Sequence, residues 1–386
     1  MKKKLLAVLL AGTMVLAMAA CGAKPAVEEP AEAPAVEEPA AEEPAAEEPA
    51  AEEPAEAEAP AGDMHFEIVS KGFQHQFWQA VLKGAEDKAA ELGVTINFVG
   101  PNTESDIADQ VQMFNNAINA KPAAIGLAAL DTQALLDSIQ ASKDAGIPII
   151  GFDSGVPDAP EGAVLANCST NNYAAGELAA ENTYPAIKDK VAAGAVRIGV
   201  ISQDATGESV VQRGIGFIDK IAALIEADGK TVAIEGNDKF VDDSKPEAGS
   251  SADVVIEVRV PAQVSAELLA TEAATLLNKD DIIAVFCTNS ASAEGLVTAN
   301  ENINKLGEGG AVVGVGFDSG VAINTAVADG VLFGAVTQAP VAMGEWTVEL
   351  LYKAAKGEPV EDVDTGAQWY NAENIANPEI AQNLYD

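Results

Sequence analysis

The sequence predicts an α/β protein built as two doubly wound, parallel-sheet lobes. The string Gly-Phe-Asp-Ser-Gly-Val occurs twice, at residues 151–156 and 316–321, each time directly after a short apolar run, Ile147 to Ile150 and Ala311 to Val315. Both runs are β-branched and flanked by glycine, which marks strands buried on both faces of a parallel sheet. Strands alternate with amphipathic helices, and the alternation restarts at Val196 to Ile201. About 320 residues follow the amino-terminal low-complexity stretch, too many for one ordinary core and enough for two.

Residues 1–20 read as a secretory signal peptide: Lys2 to Lys4 precede the apolar stretch Leu5 to Ala20, and Ala19 and Ala20 stand just before Cys21. Residues 21–63 form a tether that is nearly all Ala, Glu and Pro, with thirteen Glu between Val27 and Ala59. Like charges repel and recurrent Pro interrupts helices, so no core forms there. An extended spacer of this length reaches on the order of 100 Å.

Beyond the tether, His65 to Ser70 reads as a strand. Phe77 to Leu92 reads as a helix, with Val81, Leu82, Ala85, Ala89 and Leu92 at helical spacing and Gly93 ending it. Val94 to Val99, Ala123 to Leu127 and Ile147 to Phe152 continue as strands. Helices at Asp106 to Ala120 and Thr132 to Ala145 lie between them, the second closed by Gly146 and Pro148. The second series of strands is Val196 to Ile201, Thr231 to Ile234, Ile282 to Phe286 and Val312 to Phe317.

Composition excludes several functions. With 22 Lys and Arg against 60 Asp and Glu, the net charge is −38, so nucleic acid is not a partner. No run after residue 20 is long and apolar enough to span a membrane. Cys168 and Cys287 fall in different lobes beside apolar strands and read as buried, unpaired thiols. His65 and His75 are the only histidines and no spaced His or Cys cluster exists, so no metal site is expected. Gly314-x-Gly316 leads into Phe-Asp-Ser rather than a dinucleotide fingerprint, and neither a phosphate loop nor a nucleophile elbow is present. Neither a cofactor nor catalysis is expected.

Asp153 and Asp318, from the two copies of the repeat, fall at carboxyl strand ends. Ligands bind at that edge in open α/β sheets, so the pair is expected to face one cleft between the lobes.

Several strings carry a family resemblance in chain order. Phe73 to Trp78 followed by Lys83-Gly-Ala85, then Gly151-Phe-Asp153, Ala284 to Asn289, Gly316-Phe-Asp318 and Gln338 together resemble the ribose/galactose type of periplasmic sugar-binding protein, a type I periplasmic binding protein. Its core is shared with the effector domains of LacI-type repressors, and the likeness runs from His65 to about Gly357. Met18-Ala19-Ala20-Cys21 is similar to a bacterial lipobox, with Met in place of the usual Leu. That likeness implies a diacylated Cys21 anchoring the chain at the outer face of the cytoplasmic membrane.

The resemblance implies lobe one at residues 64–171 plus 338–364, lobe two at 172–337 plus 365–386, and a three-stranded hinge between them. It implies a monomer that binds a monosaccharide or related polyol by closing, and that delivers it to the permease of an ABC importer. A receptor feeding a sensor kinase or chemoreceptor is the alternative. Asp153, Asp318, Asn289, Gln338 and His75 would serve the sugar hydroxyls, Phe77 and Trp78 its apolar faces. Ser154 and Val211 stand where ribose binders carry Arg, with Arg213 two residues further on, and Val264 stands where an aromatic is frequent. Lys71 is similar in place to a lysine of rhamnose and autoinducer-2 type binders. Residues 234–258 have no counterpart in the family and read as a surface insertion.

Overall fold

The computed structural model describes residues 64–385; the signal peptide, Cys21 and the tether lie outside the described residues. The first half runs β1 (His65–Val69), α1 (Gln76–Leu92), β2 (Thr95–Val99), α2 (Ile107–Ala120), β3 (Ala124–Leu127), α3 (Leu136–Asp144), β4 (Ile149–Phe152) and β5 (Val164–Ser169). There follow α4 (Asn172–Ala193), β6 (Val196–Ile201), α5 (Glu208–Ala227), β7 (Val232–Gly236), α6 (Asp238–Asp243), β8 (Glu247–Ala248) and β9 (Val254–Arg259). The chain continues as α7 (Ala266–Leu277), β10 (Ile282–Cys287), α8 (Ser290–Ile303), β11 (Val313–Phe317), α9 (Val321–Ala328) and β12 (Gly334–Gln338). It ends with α10 (Pro340–Ala355), β13 (Val363–Asp364), β14 (Ala367–Tyr370) and α11 (Pro378–Ala381).

These strands make two sheets, ordered β13-β5-β4-β3-β1-β2 and β14-β12-β11-β10-β6-β9-β7-β8. Pairing is parallel throughout except where β14 runs antiparallel to β12. Helices cover both faces of each sheet, so each lobe holds two hydrophobic clusters, one per face. That is why the strands read as continuous apolar runs rather than alternating ones. The chain passes between lobes three times: from β5 to α4, from β12 to α10, and from β13 to β14. After α11 it returns to the junction, where the Tyr385 ring meets Phe77 of lobe one at 6.1 Å and Tyr385 N–H donates to Ser319 Oγ of lobe two.

Each lobe is locked by one close helix pair. A Cβ on Gly84 of α1 would lie 1.9 Å from Val341 O, and one on Gly344 of α10 would lie 2.0 Å from Val81 O. In lobe two the same reciprocity joins α4 and α5, with Gly176 meeting Arg213 O and Gly216 meeting Tyr173 O, both at 2.1 Å. Only glycine lets the backbones approach this far.

Residues 234–258 are not a surface insertion. They contain the end of β7, then α6, β8 and most of β9, and β9 lies inside the second sheet between β6 and β7. Val254, Ile256 and Val258 are buried. The Gly-Ser-Ser turn before this strand and Glu257 within it disguised a central strand as a loop. Helix α3 starts later than Thr132, because Asp131 accepts hydrogen bonds from the N–H groups of Gln133 and Ala134 and holds a turn there. Cys168 on β5 and Cys287 on β10 are free and buried, one in each sheet.

Gly216→Ala tests the helix lock. An alanine in a helix interior ordinarily gains up to about 1 kcal/mol over glycine. Here the added methyl meets a backbone oxygen, and the expected result is a net loss of about 1–3 kcal/mol in urea unfolding. A stabilised variant would mean that α4 and α5 slide apart at no cost.

Candidate functional site

The carboxyl ends of the two sheets face each other and bring together residues far apart in sequence. Lys71 follows β1, Asp153 follows β4, Asn289 follows β10, Asp318 follows β11 and Gln338 ends β12. With His75, Phe77, Trp78, Glu104, Val210, Arg213 and Ser290 they line a small cavity of about 20 Å³.

The two aspartates are built alike. Both adopt left-handed backbone conformations, with φ of 56° at Asp153 and 69° at Asp318, a region Asp tolerates better than most residues. Each is fixed by its own N–H, donating to Cys168 O on the next strand at 3.1 Å or to Val336 O at 2.7 Å.

Arg213 lies between them. Its guanidinium is 4.0 Å from a carboxylate oxygen of each aspartate and sits 4.1 Å over the Phe317 ring. Nε donates to Asn172 Oδ1 and Nη1 to the carbonyl of Thr288. Asp318 also accepts from Gln338 Nε2 at 2.6 Å and from the Ser290 N–H at the amino end of α8, where the helix dipole favours an anion. Gln338 in turn accepts from Thr170 Oγ1. Asp153 has Lys71 Nζ at 3.2 Å.

Asn289 caps α8 and donates through Nδ2 to Gln203, which donates to Glu104, while Trp78 Nε1 donates to the other Glu104 oxygen. This chain of bonds crosses from lobe two to lobe one. Burial alone would push the Glu104 carboxyl up, but Lys71 and the bonds from Gln203 and Trp78 outweigh it and hold it below the ordinary range. Burial would likewise lower Lys71, and the carboxylates of Asp153, Glu104 and Asp204 outweigh it. Within this cluster the buried Arg213 Nη2 has no hydrogen-bond partner, and Asp153 Oδ2 is met by the Lys71 ion pair alone.

Of the residues singled out in the sequence, Lys71, His75, Phe77, Trp78, Asp153, Asn289, Asp318 and Gln338 all line the cavity. His75 also caps α1, its Nδ1 accepting from the Phe77 N–H. Ser154 does not line the cavity: its Oγ accepts from the Ser209 N–H across the lobe junction. Val211 packs in the lobe-two core, and Arg213 occupies the cleft in its place, because α5 presents Ser209, Val210 and Arg213 on one face. Sequence reasoning missed Glu104 and Gln203. It could have found Arg213 as the sole basic residue between Glu208 and Asp219 in an otherwise apolar helix.

Further bonds tie the lobes together. Lys71 Nζ donates to Ser209 Oγ, Thr132 N–H to Thr206 O, and Ser105 Oγ to Val264 O. The half-buried Glu208 carboxyl faces lobe one and accepts from the Gly155 N–H. Burial raises the Glu208 carboxyl, Asp153 adds to the rise, and the Gly155 bond opposes it. A carboxyl raised in the folded state contributes stability below its unfolded value and loses it as pH rises through the folded one. The thermal midpoint of the native chain should therefore fall relative to Glu208→Gln as pH climbs out of the carboxylate range. Parallel midpoint curves would assign Glu208 no such role.

Residues 66–359 match the family described as periplasmic binding protein domain. The chain is 25% identical over 314 residues to the D-allose-binding periplasmic protein of Escherichia coli, covering 80% of this chain and 90% of that one. Two solved structures are also similar. An ABC transporter, LacI family transcriptional regulator from Brachyspira murdochii shares 36% identity, with TM-score 0.70 and coverage of 85% of this chain and 100% of that one. An ABC transporter solute binding protein from Agrobacterium vitis with bound D-fucose shares 31% identity, with TM-score 0.68 and coverage of 83% and 100%.

Proposed function

The chain belongs to the periplasmic binding protein family, and from that membership we propose that it is the sugar-binding component of an ABC importer, seating one monosaccharide ring between its lobes. The observation that carries this reading is the charged pair in the cleft: the Asp153 carboxylate, whose Oδ2 is met by the Lys71 ion pair alone at 3.2 Å, and the buried Arg213 Nη2, which has no hydrogen-bond partner. Arg213 Nη2 lacks an acceptor, and the Asp153 carboxylate can take a hydroxyl donor in place of the lysine. A sugar hydroxyl donates one hydrogen bond and accepts others, so neighbouring hydroxyls on one ring serve both atoms. The relatives named for D-allose and D-fucose bind ligands of that chemistry.

The roles follow from position. Asp153 and Asp318 accept from hydroxyls, Arg213 and Lys71 donate to them, and the edges of Phe77 and Trp78 border the ring. Arg213 Nη2 apart, the side chains are paired with one another around a space that holds about one water. Ligand entry therefore exchanges the Lys71–Asp153, Gln338–Asp318 and Asn289–Gln203 contacts for bonds to the sugar, at slightly wider lobe separation. Contacts from both lobes then favour the closed form, which a permease distinguishes from the open one. The reading calls for binding and release without turnover. Export by the signal peptide and acylation of Cys21 would hold the chain outside the cytoplasmic membrane at the end of its tether.

Calorimetric titration with D-allose, D-fucose, D-arabinose, ribose and galactose tests this. One sugar is expected to bind, and Asp153→Ala or Arg213→Ala to weaken it by about 10- to 100-fold or more, as for hydrogen bonds to charged groups. Unaltered affinity in both variants would move the site elsewhere, and no heat from any sugar would reject the function.

A further inference from the structure

Beside the cavity lies a second space of about 400 Å³. His75, Glu104, Asn289 and Ser290 line both, so the two adjoin at the Asn289–Gln203–Glu104 chain of bonds, which a ligand spanning both would displace. The junction around the amino end of α5 is sealed by the Lys71–Ser209, Ser154–Ser209 and Thr132–Thr206 bonds. Between Phe73 and Val264, by contrast, the lobes stand apart behind the Ser105–Val264 bond.

The lining of this outer space has its own character. Phe73 of lobe one, which is 37% exposed, faces apolar surface on lobe two from Val264, Ala266 and Leu269. Amides and carboxylates, including Gln74, Asn102 and Glu294, interrupt that surface. One aromatic and one aliphatic wall with carboxylates and amides between them suit a second sugar ring, which has C–H faces and hydroxyl edges. An anionic substituent would meet the carboxylates of Glu104 and Glu294. The volume lies within the range of about 300–1,000 Å³ usual for small-molecule sites.

We propose that this chamber is a second subsite, and that the ligand is a disaccharide or glycoside whose first ring lies on Asp153, Arg213 and Asp318 and whose second ring lies between Phe73 and Val264. The proposal rests on the sugar-binding reading and assigns its substrate class. Phe73 and Val264 belong to different lobes, so a ring between them would be gripped by closure as the first ring is.

The experiment is calorimetric titration of the full chain with each monosaccharide and with disaccharides and phenyl glycosides that contain it. At least one two-ring ligand is expected to bind within tenfold of its parent monosaccharide, or more tightly. Ala266→Phe at an exposed position fills the chamber and, independently, Phe73→Ala removes its lobe-one wall. Each is expected to weaken the two-ring ligand at least tenfold while leaving the monosaccharide within threefold. Two-ring ligands that all bind more than tenfold weaker than their parents, or variants that weaken both classes equally, would overturn the second subsite and leave monosaccharide binding intact. No heat from either class would overturn the sugar reading itself.

Discussion

The buried guanidinium of Arg213 is the point on which the cleft depends. Removing an ion from water costs several kcal/mol even after relaxation, so it is tolerated only amid close partners. Arg213 finds Asp153 in one lobe, Asp318 in the other, the Phe317 face beneath it, and a side-chain amide and a carbonyl in its own lobe. It therefore couples the two sheets electrostatically, and it does so from α5. The position of α5 is in turn set by glycines that let it touch α4 at backbone distance. A disturbance in a helix crossing remote from the ligand thus reaches the charge cluster through one rigid element.

The two lobes solve the same problem with the same parts. Each presents an aspartate in a left-handed turn pinned by its N–H to the neighbouring strand, and each braces a helix pair with reciprocal glycines. The repeated Gly-Phe-Asp-Ser-Gly-Val made the first likeness visible in the sequence. The second was invisible there, because Gly84 and Gly344 lie hundreds of residues apart and their nearness is a property of packing alone.

What the sequence disclosed follows the same division. Asp153 and Asp318 could be placed because a strand fixes where its last side chains point and short apolar runs locate strands well, whereas Asn289 and Gln338 came from the family likeness. Glu104 lies on a loop and is held in the site by long-range partners, Trp78, Gln203 and Lys71, so nothing local distinguishes it from a solvated carboxylate. Arg213 was displaced by two residues in the family comparison, and on a helix two residues turn a side chain to nearly the opposite face. Strand β9 failed for a different reason: Glu257 in its middle pairs with Arg197 and Lys279, a long-range compensation that no local pattern announces.

The two thiols have a bearing on the surroundings in which the protein works. Burial pushes the Cys168 thiol up to about 12 and raises Cys287 as well, so neither forms the reactive thiolate near neutrality. They sit on separate sheets and have no route to one another. Neither thiol is therefore a site of redox control: assembly of the lobes waits on no disulfide, and neither cysteine offers a reactive thiolate to an oxidant.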